Sequence, residues 1–66
     1  MRESLKNARL KKGLSSKFIG EYIGMTARGY NFIENGARGT SEANWIKLYE
    51  LFDGEVPLHE LMKNTT

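Results

Sequence analysis

The sequence predicts an all-α domain of five helices, and three observations carry that prediction. No stretch alternates apolar and polar residues with period two over a useful length, so strand signals are missing. Apolar residues recur instead at helical spacing, in segments separated by glycines. The one proline, Pro57, stands near the end, so nothing interrupts the segments before it. The 66 residues support one domain, residues 1–66, with a single small core.

Glu3 to Lys12 reads as helix 1, with lysines in its last turn favouring the negative end of the macrodipole and Gly13 supplying a left-handed stop. Ser15 is placed to cap the free N–H groups of helix 2, while Leu14 and Ile19 have the spacing of a hydrophobic staple across the cap. Helix 2 runs to about Ile23. Gly24 then takes the positive φ of a sharp turn, and Met25-Thr26 repeats the device, with Thr26 as cap and Met25 reaching Tyr30. Helix 3 is Ala27 to Asn35, stopped by Gly36. Two short helices joined so tightly cross steeply, as a helix-turn-helix, and Gly20 lets them approach closely. Ile19, Ile23, Tyr30 and Ile33 share the inward side. Helix 4 begins near Glu42, capped by Thr40 or Ser41, and continues to Phe52; Trp45, Ile46, Leu48, Tyr49, Leu51 and Phe52 make its apolar arc wider than one buried stripe requires. The excess is expected to meet a second copy, with Trp45, Tyr49, Phe52 and Leu58 as the dimer surface. "DGE" is a turn, and "VPLHELM" closes the chain with a short helix whose Leu58, Leu61 and Met62 cap the core.

Composition narrows the function. There is no cysteine and a single histidine, His59, so disulfides and a Cys/His metal site are not expected. No apolar run approaches a membrane span, and "MRESLKNARLKK" lacks the apolar centre of a signal peptide; a soluble, cytoplasmic protein is the expectation. No nucleophile and base pair up plausibly and no "GxxxxGK" phosphate cradle occurs, so neither enzyme activity nor a cofactor or small-molecule substrate is anticipated. Net charge is only +2, but it is unevenly spread. Met1 to Thr40 carries eight basic residues against three acidic; from Ser41 on there are two against five. A basic part joined to an acidic one suits a face for a polyanion and a rear turned away from it. Arg2, Lys6, Lys11, Lys12, Lys17 and Arg38 form the pool of phosphate-contacting candidates, with the helix ends that open at Ser15 and Thr26 as further places for phosphate oxygens.

"LKNARLKKGLSSKFIGEYIGMTARGYNFIENGARGTS", followed by an apolar helix, resembles the lambda-repressor-like (Cro and xenobiotic-response-element type) DNA-binding family of phage, plasmid and bacterial regulators. The specific elements are "ARLKKGLS", the small residue at Gly20, the turn "IGMT" and the closing "IENG". The resemblance implies that Ser16 and Lys17 contact phosphate, that helix 3 is a recognition helix whose Ala27, Arg28, Asn31 and Phe32 face base edges, and that Asn35 and Arg38 contact the backbone. It also implies a partly buried ion pair between Arg9 and Glu34. Phe32 stands where relatives commonly carry a polar base reader, Tyr49 replaces the usual alanine, and "DGE" is longer than the usual glycine turn.

Side-chain chemistry bears on these roles. The fork of Arg28 matches the O6 and N7 acceptors of guanine in the major groove, its rival role being a phosphate clamp; Ala27 suits a thymine methyl and Asn31 the adenine N6/N7 edge. Phe32 is open between base-methyl contact, dimer contact and core burial. Gly29 inside a helix costs about 1 kcal/mol relative to alanine, which asks for close packing or close DNA approach. The reading is a small Cro-like repressor or controller protein, binding a pseudo-palindromic double-stranded operator as a homodimer; the alternative is a protein-interaction module, antitoxin-type or adaptor, on the same fold.

Overall fold

The computed structural model describes residues 1–64. They form five helices and no strand: α1 Glu3–Lys12, α2 Ser16–Tyr22, α3 Ala27–Glu34, α4 Glu42–Leu51 and α5 Leu58–Met62. Ile23, Asn35 and Phe52, expected as last helical residues, are C-caps instead, a difference of one residue each.

Local chemistry accounts for the boundaries. Gly13 closes α1 at φ +71°, and the Gly13 and Leu14 N–H groups return to the Leu10 and Arg9 carbonyls at 3.0 and 3.1 Å. Ser15 Oγ accepts the Phe18 N–H and Thr26 Oγ1 the Gly29 N–H, both at 3.0 Å. At α4 the choice between Thr40 and Ser41 falls to Ser41, whose Oγ accepts the Asn44 N–H at 3.2 Å, while Thr40 Oγ1 accepts from Asn44 Nδ2 at 2.9 Å. Each such cap contributes about 1 kcal/mol.

Leu5, Ile19, Ile23, Tyr30, Ile33, Trp45, Leu48, Phe52 and Leu61 form one buried cluster, so every helix sends side chains to it. Leu14 and Met25, the outer arms of the two staples, pack against its margin. Two expectations need correction. Trp45 and Phe52, assigned to a dimer surface, are 4% and 2% exposed and belong to the core, where large aromatic surface is most stabilising. Met62, assigned to the core, is exposed. The apolar residues that α4 leaves outward are Ile46 and Tyr49, at i and i+3; Leu58 is half-buried.

The α4–α5 turn and Tyr49 are fitted to each other. Asp53 and Gly54 are both left-handed, at φ +57° and +67°. The Tyr49 hydroxyl lies so close to Gly54 that a Cβ there would be 3.2 Å from it. The left-handed turn leaves the room that the Tyr49 hydroxyl occupies. Among the described residues, no helix is long and apolar enough to cross a membrane.

Candidate nucleic-acid interface

The display of α3 begins with Gly20 and Gly24. A Cβ on Gly20 would lie 2.7 Å from the Thr26 carbonyl oxygen, so only glycine permits α2 to pass this close to the start of α3. Gly24 turns the chain at φ +77°, and the Met25 N–H closes the turn on the Gly20 carbonyl at 2.7 Å. α2 and α3 pack against each other more extensively than any other pair of helices.

This fixes which side of α3 faces in. Tyr30 and Ile33 are fully buried and Glu34 is 7% exposed. Arg28, Asn31 and Asn35, at i, i+3 and i+7, are exposed on the other side, with Ala27, Gly29 and Phe32 half-buried along its margins. The N–H groups of Ala27 and Arg28 precede the first intrahelical bond, from the Tyr30 N–H to the Thr26 carbonyl at 3.0 Å, and so have no partner within the helix.

The inner side is held by a polar network as well as by packing. Arg9 grips Glu34 with two bonds, Nε to Oε1 at 2.8 Å and Nη2 to Oε2 at 3.3 Å, and its Nη1 donates to the Leu14 carbonyl at 3.1 Å. The Tyr30 hydroxyl donates to Glu34 Oε1 at 3.0 Å. The hydrogen bond to Glu34 holds the Arg9 guanidinium above its ordinary range, and burial, reinforced by the Glu34 charge, pushes the Tyr30 hydroxyl well up. No buried side-chain polar atom among the described residues lacks a partner. The pair ties the α1–α2 junction to the end of α3 and sets the angle at which that helix is presented.

The phosphate candidates divide. Lys17 is exposed at the start of α2, and Ser16 and Lys6 are half-buried. The Thr26 hydroxyl is engaged as an acceptor in its cap. Asn35 Oδ1 accepts the Ala37 N–H at 2.9 Å, which orders the following loop and leaves its amide N–H groups as donors. Lys12 makes an exposed ion pair with Asp53 at 2.6 Å. Lys11 and Lys12 line a hollow with Ala8, Phe52, Glu55 and Val56, at the α4–α5 turn rather than beside α3. Arg2, placed in the phosphate pool by its charge, is a half-buried clamp between elements: Nε donates to the Met62 carbonyl at 3.0 Å, Nη1 to the Ile33 and Arg38 carbonyls at 2.7 Å each, and the guanidinium lies 5.2 Å over Trp45. A cation at the C-terminal ends of α3 and α5 satisfies carbonyls that the helices leave open. Burial pulls its guanidinium below the ordinary range.

Two features of this face go beyond the sequence expectations. Phe32 carries the guanidinium of Arg28 at 5.6 Å and that of Arg38 at 5.4 Å from its ring centroid. The i, i+4 spacing of Arg28 and Phe32 was a signal for the first contact; nothing local signalled the second. Gly29 is the other feature. A Cβ there would meet Thr26 Oγ1 at 3.4 Å and Met25 Cβ at 3.6 Å, which is ordinary contact, so packing within the protein does not require glycine.

A helix-turn-helix family model matches residues 5–61, most of the chain. No curated protein and no solved structure is significantly similar to it. Five helices without strands, a tight α2–α3 turn and an α3 with one polar side turned outward agree with that match. The chain therefore belongs to the lambda-repressor/Cro-like helix-turn-helix family of DNA-binding transcription regulators.

Proposed function

We propose that the protein is a sequence-specific regulator that lays α3 in the major groove of double-stranded DNA and acts as a small Cro-like repressor or controller protein on a pseudo-palindromic operator. The observation that carries this reading is the division of α3. Tyr30, Ile33 and Glu34 lock one side, while Arg28, Asn31 and Asn35 stand exposed on the other. Arg28 reads guanine through O6 and N7, and Asn31 reads adenine through N6 and N7. Ala27, at the margin of the same side, meets a thymine methyl. Lys17, Ser16, Lys6, Arg38, the Asn35 amide and the N–H groups at the start of α3 position the protein on phosphates without reading sequence.

A homodimer places two recognition helices about 34 Å apart, one DNA turn. With Trp45 and Phe52 in the core, Ile46 and Tyr49 on α4, with Leu58, are the residues left for the second copy. The competing reading, a protein-interaction module, draws on Phe18 and Tyr22, exposed on α2 and stacked with centroids 6.4 Å apart.

Selection of bound sequences from a random duplex pool tests the proposal. Recovery of a two-fold-symmetric consensus, bound with an affinity that falls steeply with salt, is the expected result. No enrichment even at low salt rules out the DNA reading and leaves the interaction module.

A further inference from the structure

Phe32 occupies an unusual position for an aromatic residue on the exposed margin of a recognition helix. Its ring neither sinks into the core cluster nor stands free. Two guanidiniums approach it from different elements: Arg28 from the first turn of α3, and Arg38 from the α3–α4 loop. The loop arginine is not there by chance wandering of a flexible segment. Its N–H donates to the Phe32 carbonyl at 3.1 Å, and its own carbonyl accepts from Arg2 Nη1 at 2.7 Å. Its main chain is thus pinned at both polar groups, with the ring of Phe32 within reach of its side chain.

Two like charges gathered at one ring repel each other, and the attraction of each to the face of the ring offsets that repulsion. The arrangement gains most when an anion arrives between or beside them. It also removes rotamer freedom from two long side chains before binding, which lowers the ordering cost that binding otherwise carries. Resting on the DNA-binding reading above, we propose that Phe32 is a positioning residue: it reads no base itself but holds Arg28 and Arg38 as one two-pronged grip, so that the base contact of one and the phosphate contact of the other form together. The ring acts through its neighbours.

The test is a double-mutant cycle on a duplex recovered by the selection above, with binding measured for Arg28→Ala, Arg38→Ala and the double variant, each in the wild-type and Phe32→Leu backgrounds. Leucine keeps an apolar side chain able to touch a thymine methyl but has no ring to hold a cation. Phe32→Leu is expected to weaken binding about three- to tenfold, part of the ordering cost that the ring removes from two long side chains before binding. The losses from Arg28→Ala and Arg38→Ala, coupled in the wild type, become additive in that background. Phe32→Tyr and Phe32→Trp restore both affinity and coupling. In the free protein, NMR gives a check that needs neither DNA nor a variant's stability: the side-chain protons next to both guanidiniums are shifted upfield by the ring. Absence of those shifts, or Phe32→Leu leaving affinity and coupling unchanged while Arg28→Ala still weakens binding measurably, overturns the inference alone. Failure of the selection to recover any duplex removes the DNA reading and this inference with it.

Discussion

Along α3, Tyr30 and Glu34 differ from Arg28 and Asn31 by a rotation of the helix, and the two pairs are held by unlike forces. The inner pair is buried and completed by Arg9, so that the Glu34 carboxylate accepts from two other side chains. The outer pair faces water, and Arg28 rests on the ring of Phe32. Rigid fixing of one side is what makes the other useful: outward side chains on a helix of undefined tilt would meet bases in no constant register. On the DNA-binding function proposed above, stability and recognition fall to different residues of the same eight-residue helix, and substitutions separate them.

The largest effect is expected on the inner side. Glu34→Ala leaves the partly buried Arg9 guanidinium and the buried Tyr30 hydroxyl without their shared acceptor, at a cost of about 2–4 kcal/mol. For so small a domain that is much of the total, so thermal denaturation should show a protein partly unfolded at room temperature. On the outer side, Arg28→Ala should change the melting temperature little yet lose about 1–3 kcal/mol of discrimination against the wrong base, read by competition between the selected duplex and single-base variants of it. If Arg28→Ala instead unfolds the protein, the division of labour does not hold.

Tyr30→Phe sharpens the comparison through pH. It removes one hydrogen bond to a charged acceptor, at a cost of about 1.5 kcal/mol at neutral pH. The folded protein holds the Tyr30 proton more tightly than the unfolded chain does, since burial and the Glu34 charge push its ionisation upward from the ordinary value of 10.0. Its contribution is thus complete below about pH 10 and is lost above it as the unfolded chain gains by ionising. Denaturant titrations at increasing pH should show the wild type losing stability more steeply through that range than the Phe variant. Gly29→Ala has the smallest expected effect and two opposite readouts. The added methyl fits against Thr26 and Met25, so the helix gains up to about 1 kcal/mol. Binding to the selected duplex should weaken if the bare backbone at position 29 serves close approach of DNA.

Much of this was legible in the sequence wherever the signal is local. Glycine stops at 13, 24 and 36 and the caps at Ser15 and Thr26 act within four residues of themselves, and the helix boundaries they imply match the structure to one residue. The resemblance further supplied the Arg9 and Glu34 contact, which spans 25 residues. The partition of α4 was not legible. With apolar residues around so much of the helix, periodicity does not choose between Trp45 and Ile46 for the interior, and only the contacts of Arg2 and α5 decide it. Charge misled for a related reason. Arg2 counts as a free cation in the composition, yet its partners lie 31, 36 and 60 residues away, where no pattern around position 2 reaches. Lys12 likewise has an exposed partner, Asp53, 41 residues distant.

The central claim, that the outward side of α3 is the surface that meets DNA, is tested most directly by titrating the isotopically labelled protein with a selected duplex and following backbone and side-chain NMR signals. The largest perturbations are expected at Ala27, Arg28, Asn31 and Phe32, with Lys17 and Arg38 beside them and the core signals of Tyr30 and Ile33 little moved. Perturbations centred on Ile46 and Tyr49 or on Phe18 and Tyr22, with α3 silent, would contradict it.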